Sequence, residues 1–512
     1  MSRSLSRSLP QSIAALAMLA ACGDDILPAR ADSSTSLGPG APHDTTGPPS
    51  GTSGPVDPTP SARSSSDGDH PDGDHDEHSS GGDTTGSDHG TTSATGGSDF
   101  IDPRGYTLVA PMASRYTYLM DADGLEINRW ESQTLPANAA YMLPNGHMMR
   151  VARDPDATVH LVSGTGGIVQ EFDWQGNVVW QYEHTGPTIA AHHDIEPLPN
   201  GHVLIIAYEM FSFDEAVAAG RDPATVAPEG LWADFLVEID PTTDQIVWEW
   251  HVWDHLIQGY DPMADHYGVV GDHPERIDIN WTRPDDALRP DWTHTNAVAY
   301  NAQLDQIVLS PRTFSEIWII DHSTTTAQAA TSEGGHSGMG GDLLYRWGNP
   351  ATYHAGDTLD RELYFQHDPH WIDDDKPGGG HLLVFDNGDD ALRPWSRVLE
   401  LDTPVLPDGR YSLDGSSFGP LEPAWIYEDP MAFYALFISG ADRLADGRTL
   451  VCHGPSGQLF EVDATGQVGW THGVGARLFR AERYDADHPA WNGLHADDLA
   501  PGKPLMIEVE PD

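Results

Sequence analysis

The chain has 512 residues, with 79 acidic residues against 26 lysines and arginines, and a formal net charge of -53. Such a surface repels nucleic acid and anionic lipid, which argues against both as partners. The acidity extends well beyond residue 100, and lysine occurs only at Lys376 and Lys503, so any anion site must draw its donors from arginine and histidine.

Residues 1–22 begin basic and polar and continue into a short apolar run over 13–21. Leu19-Ala20-Ala21-Cys22 has the form of a bacterial lipobox. The expectation is a lipoprotein signal peptide cleaved before Cys22, lipidation of the Cys22 thiol, and a chain exported and lipid-anchored in the bacterial envelope, in the periplasm or at the outer membrane or cell surface. Residues 23–100 are dominated by Ser, Thr, Gly, Pro and Asp, cannot bury a core, and predict a disordered low-complexity linker. Within it, DGDHPDGDHDEH sets His70, His75 and His78 among acids, which fits either a solvated spacer or a weak divalent-metal tract. No other stretch approaches the roughly 20 apolar residues of a membrane span, so membrane contact is expected only through the lipid anchor. Cys452 has no partner for a disulfide within the body and reads as a buried apolar residue.

From residue 101 the texture changes to short apolar runs broken by turns. One unit, a turn followed by tryptophan, recurs six times: DADGLEINRW, DWQGNVVW, DPTTDQIVW, GDLLYRW, LEPAWIY and DATGQVGW. A second unit, a polar start and a turn before an apolar strand, also recurs six times, from YMLPNGHMMRV at 141 to LHADDLAPGKPLMI at 494. Alternating the two gives one four-stranded antiparallel sheet per repeat, and six such sheets in radial array are an all-β, six-bladed β-propeller over 101–512. A β-sandwich is the structural alternative. The unit at Leu494 and the unit at Asp121 are expected to complete each other and close the ring within one blade, with either 106–110 or 505–509 as the second strand. Insertions at 209–233 and 252–291 are expected over the mouth of the central channel. The Gly- and Ser-rich stretch 323–341 is expected on the opposite face and mobile.

The chemistry concentrates on 291–324, DWTHTNAVAYNAQLDQIVLSPRTFSEIWIIDHST, which predicts a β-hairpin with His294 and Asn296 at the start of one strand and Arg312 at the end of the next. Antiparallel pairing puts all three at one sheet edge, where imidazole, amide and guanidinium suit a tetrahedral oxyanion. Aligning the second units places His193, His294 and His367 near the start of three inner strands, so the three are expected to meet at one channel mouth with Arg312. His495 occupies the same position in the closing repeat.

The strings HHDIEPLPNG, DWTHTNAVAYN with LSPRTFSEIWIIDHST, LLYRWGNP and FQHDPHWI, arriving in this order across roughly 104–500, resemble the bacterial arylsulfate sulfotransferases. The resemblance implies a six-bladed propeller that moves a sulfuryl group from an aryl sulfate donor to a phenolic acceptor by a ping-pong route through a sulfohistidine. It implies no nucleotide sulfate donor and no cofactor, and the chain has no GxxxxGK[ST] phosphate loop. It further implies His367 as nucleophile, His193, His294 and Arg312 as catalytic partners at the sulfuryl group, and Asn296 and His192 as substrate-binding residues. Some relatives place a small β-domain before the propeller, whereas 23–100 here reads as a disordered linker. The 252–291 insertion, with Tyr260, His266, Tyr267, Trp281 and Trp292, reads either as a wall of the acceptor pocket or as a surface excursion. Three other readings stay open at this stage: a quinoprotein-type propeller needing a quinone and calcium, a zinc or copper site on the three histidines, and a surface binding propeller without chemistry. Oligomeric state is not readable.

Overall fold

The computed structural model describes residues 104–157, 164–283 and 288–510. The expected signal peptide with Cys22, the linker and its histidine tract lie outside the described residues. Six four-stranded antiparallel sheets account for nearly all regular structure, making a six-bladed β-propeller. The inner strands are Pro136–Met142 of blade 2, Ile189–Pro197 of blade 3, Thr295–Asn301 of blade 4, His367–Trp371 of blade 5, Gly440–Arg443 of blade 6, and Leu478–Tyr484 of blade 1.

Blade 1 is where the sequence misleads. Its inner strand is Leu478–Tyr484, paired with Tyr106–Pro111 in the register Tyr106↔Tyr484 and Leu108↔Glu482, so the two chain ends close the ring. The unit at Leu494 does not supply that strand. LFRAERY offers its own apolar residues directly after the sixth tryptophan unit and fills the place first. His495 is exposed as a result. Residues 504–510 instead run past the outer part of the same blade, with Leu505 N–H donating to Gly124 O and Glu508 N–H to Tyr118 Oη.

The six tryptophans of the repeated unit tie each blade to the next. Each indole N–H donates into the connection between third and fourth strands of the following blade: Trp130 to Asp173 O (2.8 Å), Trp180 to Asp244 Oδ1 (2.9 Å), Trp248 to Thr324 Oγ1 (3.1 Å), Trp347 to Pro420 O (2.9 Å), Trp425 to Ala464 O (3.0 Å) and Trp470 to Ala122 O (3.1 Å). The last bond returns to blade 1. Indole suits this place because its body fills the space between sheets while its one donor is used. Between the sheets lies aliphatic core, such as Leu204, Ile206 and Leu236 of blade 3 against Val298, Ile307 and Leu309 of blade 4. Burying each such side chain contributes about 1.5–3 kcal/mol. Cys452 is one of these packed residues, and burial pushes its thiol pKa up.

Two expectations about the insertions change. The 252–291 segment is not a loose excursion: Ile277, Ile279 and Trp292 enter the core with Phe314 and Trp318. Arg221 donates to Ile279 O at 2.5 Å and lies 5.6 Å from the Trp292 ring. Tyr260, His266 and Tyr267 face solvent. The 323–341 stretch is ordered, with a helix at Thr326–Ala329 capped by Thr325 and Gln328. The reason lies in blade 3, whose buried Trp250 indole donates to Gly341 O (2.7 Å) and whose His255 Nε2 meets Ala329 O (2.8 Å).

Candidate active site

The inner strands are irregular where they near the axis. Pairing register shifts between Ala191 and Ile195, between Thr295 and Val298, and between His367 and His370. Residues at or next to these shifts take left-handed backbone, His193 at φ 51°, His294 at φ 50° and Asp368 at φ 57°. A bulge with such a residue re-aims side chains that a regular strand would send between the sheets. Blade 3 also requires Gly164, because a Cβ there would lie 2.3 Å from the His193 ring.

The bulges bring His193 and His294 to a ring-centre distance of 4.8 Å. Phe479, from the closing strand, has its ring centre 6.2 Å from that of His193 and 6.1 Å from that of His367. Arg312 opens the short turn Arg312–Phe314 and its backbone N–H donates to His294 O at 3.2 Å. Its guanidinium carbon stands 4.8 Å from the centre of the Phe365 ring. All of these side chains are buried. His193, His294, Arg312 and His367 therefore share one end of the channel.

Each histidine is held by a partner, and for His367 and His294 the partner decides which nitrogen carries the proton. Asn387 donates through its amide nitrogen to Ala435 O and Ile438 O, both at 2.8 Å, so its Oδ1 is turned to accept from His367 Nδ1 at 2.7 Å. With the proton on Nδ1, the lone pair of His367 is on Nε2. His294 Nδ1 bonds Asp291 Oδ2 at 2.5 Å. Burial raises the Asp291 carboxyl, but His294 beside it, then His192 and Arg289, outweigh burial and hold it below the usual carboxylate range. His193 Nδ1 meets His192 Nδ1 at 2.8 Å. His192 stacks on Tyr208 at 3.6 Å with its Nε2 3.2 Å from Asp234 Oδ1. Burial, followed by the neighbouring His294, His192, His367 and Arg312, lowers the His193 pKa well below that of an ordinary imidazole, so His193 is neutral near pH 7.

Asn296 and His192 each make a contact beside the catalytic candidates. Asn296 donates to Gln366 O at 2.9 Å and so braces the backbone just before His367. His192 sits behind His193, against Tyr208. Several contributors were not picked out from sequence: Asp291, Asp234, Asn387, Phe365 and Phe479. Asp291 alone left a trace, three residues before His294.

The insertion of blade 3 holds the segment carrying Asp291 and His294. Trp232 N–H donates to Pro290 O (2.7 Å), Trp292 N–H to Trp232 O (3.1 Å), and Thr295 N–H to Asp234 Oδ2 (2.6 Å). Deeper along the axis, Asp194 and Asp368, each next to a site histidine, meet Arg480, next to Phe479. Beyond them opens a cavity of about 720 Å³ whose lining includes Glu196, Asp373, Asp442, Glu482 and Asp485. That lining holds more carboxylates than cations, the latter being Lys376, Arg443, Arg480 and Arg483, while the histidine end presents Arg312 and imidazoles. Among the described residues no group of three or more His, Cys, Asp or Glu is arranged to hold a metal ion.

Residues 106–473 match the family described as arylsulfotransferase (ASST). The chain belongs to the arylsulfotransferase family. Two curated relatives are similar to it, both called arylsulfate sulfotransferase AssT. The one from Lelliottia amnigena is 26% identical over 381 residues, and the one from Escherichia coli O6:H1 is 26% identical over 383. Each alignment takes in 68% of this chain and 58% of the relative, so the chain matches little more than half the length of these arylsulfotransferases. Among solved structures, a protein of unknown function from Bacteroides caccae has a TM-score of 0.41 at 11% identity, over 74% of this chain and 98% of its own.

Proposed function

We propose that this arylsulfotransferase-family chain is an enzyme that moves a sulfuryl group from an aryl sulfate to a phenol through a sulfohistidine on His367. The observation that carries the reading is the Asn387 amide, whose fixed orientation puts the His367 proton on Nδ1 and leaves the lone pair on Nε2, with His193 and His367 both about 6 Å from the Phe479 ring. In the first half-reaction Nε2 attacks sulfur, an N–S bond forms, the ester S–O bond breaks, and the departing phenolate takes a proton. In the second, the acceptor oxygen attacks the same sulfur, the N–S bond breaks, and the acceptor's proton is released. His294, backed by ionised Asp291, is the group that gives and takes this proton. Sulfuryl transfer, like phosphoryl transfer, has a loose transition state, so placement and charge compensation by Arg312 and the neutral His193 contribute most of the acceleration. His192 and Asn296 support their neighbours, respectively His193 and the backbone before His367.

Incubation with 4-nitrophenyl sulfate alone, quenched and digested, is expected to leave one added sulfuryl group on the peptide holding His367. An unmodified His367, or full phenol-dependent turnover by His367→Ala, removes the reading. The same proposal places the enzyme outside the cytoplasm, tethered by lipid on Cys22 through the 23–100 linker. Fatty-acid labelling abolished by Cys22→Ala is the expected result.

A further inference from the structure

Asp291 spends only one of its oxygens on His294. Oδ2 makes the 2.5 Å bond to the imidazole, and Oδ1 is buried without a hydrogen-bond partner among the described residues. The insertions of blade 3 bring two buried donors in the same condition, Arg221 Nε and the indole Nε1 of Trp281. Arg221 is 2% exposed and its other nitrogens are engaged, Nη1 with Ile279 O at 2.5 Å and Nη2 with Thr225 O at 3.4 Å. The Trp281 carbonyl accepts from Trp292 Nε1 at 2.9 Å, which fixes Trp281 against the segment that carries Asp291 and His294.

Arg221, Trp281 and Asp291 line one small pocket, together with Thr282 and Trp292. Its volume is about 10 Å³, the room of roughly one water. Buried polar groups are paired almost without exception, with protein or with ordered water. Two donors and one acceptor around a space of this size suit a single water, which takes the two N–H bonds on its oxygen and gives one O–H to the carboxylate.

We propose that Trp281, with Arg221, is a positioning residue that acts on His294 through one bound water and Asp291. This deepens the sulfotransferase reading and rests on it. The chain runs from indole N–H to water, from water to Asp291 Oδ1, and from Asp291 Oδ2 to His294 Nδ1. The water holds the carboxylate ionised and aimed at the imidazole, and the imidazole in turn is held where it gives its proton to the departing phenol oxygen.

The test uses two donors that differ in their need for that proton. Phenolate is a strong enough base to leave with a proton from His294, whereas 4-nitrophenolate leaves without one. In a ping-pong reaction kcat/KM for the donor reports sulfohistidine formation alone. Trp281→Phe keeps an aromatic ring and removes the donor; Thr282→Leu puts apolar bulk in the place of the water. For both, kcat/KM is expected to fall about tenfold with phenyl sulfate, the usual effect of losing a supporting bond behind a reacting imidazole, and to stay nearly unchanged with 4-nitrophenyl sulfate. Equal losses with the two donors mean a structural role and overturn the proposal, as does an unaltered rate with phenyl sulfate. Absence of turnover of either donor by the wild type removes the sulfotransferase reading instead. In that event the His294 Nδ1 proton resonance decides the water bridge alone: a changed shift in Trp281→Phe is expected, and an identical one overturns it.

Discussion

Arg480 and Asp194 form a two-point ion pair on the propeller axis, Nη1 to Oδ2 at 2.9 Å and Nη2 to Oδ1 at 3.0 Å. Around that pair all six inner strands are joined. Tyr141 of blade 2 donates to Asp194 Oδ1, Val298 N–H of blade 4 donates to Asp194 Oδ2, Arg480 also reaches Asp368 of blade 5 at 3.2 Å, and Ala441 N–H of blade 6 donates to Asp368 Oδ2. Asp194 itself belongs to blade 3 and Arg480 to blade 1. His193 and His367 stand one residue away from this hub, so its rigidity is theirs.

Arg480→Ala is therefore expected to destabilise the propeller strongly. It leaves two buried carboxylates without their cation, and breaking a buried pair from one side costs about 3–5 kcal/mol. Urea unfolding of the wild type and the variant measures the difference. A loss below 1 kcal/mol means the axis is held together by packing alone. Adding Asp194→Asn to Arg480→Ala should recover part of the loss, because one of the stranded charges is gone.

The pH dependence of stability has a sign that His193 sets. Its native pKa lies well below the ordinary imidazole value, because burial and then the neighbouring His294, His192, His367 and Arg312 oppose its charge. Below pH ~6.5 the unfolded chain binds a proton there that the native state refuses, so His193 makes stability fall with acidification and contributes nothing above that pH. His322 works the other way. Burial lowers its pKa, but Glu238 and Asp305 outweigh burial and raise it overall, so its stabilisation is complete below pH ~6.5 and is lost as pH rises through the native value. His193→Gln is expected to reduce the slope of unfolding free energy against pH below pH 6.5, by at most about 1.4 kcal/mol per pH unit. Parallel slopes for wild type and variant would contradict a neutral native His193. Imidazole nitrogen NMR should show the same group resisting protonation.

What the sequence made legible follows from repetition. Trp130, Trp180, Trp248, Trp347, Trp425 and Trp470 do the same work six times, so their spacing betrays the blades. His193, His294 and His367 recur at one place in a repeated unit, so their meeting could be expected. The closing strand could not be read in this way. Pairing of Tyr106 with Tyr484 depends on residues far apart in the chain, and LFRAERY lacks the histidine that marks the inner strands of blades 3, 4 and 5. Asn387, within FDNGDD, looks like a turn residue, and only the carbonyls of Ala435 and Ile438 give its amide a direction. The 323–341 stretch looked loose from composition, because Trp250 and His255, which order it, are remote in sequence.

Asn387 is a positioning residue, since it acts on sulfur only through His367. Asn387→Leu keeps the volume and loses both the acceptor and the tether to Ala435 and Ile438. The expected outcome is a kcat lower by about 10–100-fold, the usual effect of removing a supporting bond to a reacting imidazole, with the donor KM nearly unchanged. Burst kinetics with 4-nitrophenyl sulfate should place the loss in formation of the sulfohistidine. A change in KM with kcat preserved would show instead that Asn387 shapes the pocket and does not orient His367.

Phe479 has a consequence for water. Its ring stands between the histidines, and with Met112, Ala139 and Ile438 it forms an apolar plug on the axis. The next residue, Arg480, already lines the large acidic cavity at the far end. A sulfohistidine is reactive toward water as well as phenol, and the plug separates the two. Phe479→Ala removes most of it and opens a path from that cavity to the reacting sulfur. The expected result is not a dead enzyme but a leaking one: with donor and phenol both present, free sulfate rises several-fold relative to phenyl sulfate, and donor consumption without phenol rises with it. Phe479→Leu, which restores apolar bulk, should return the ratio most of the way. If both variants transfer as cleanly as the wild type, water is kept out from the arginine side of the pocket, and the segment carrying Trp292 becomes the element to alter.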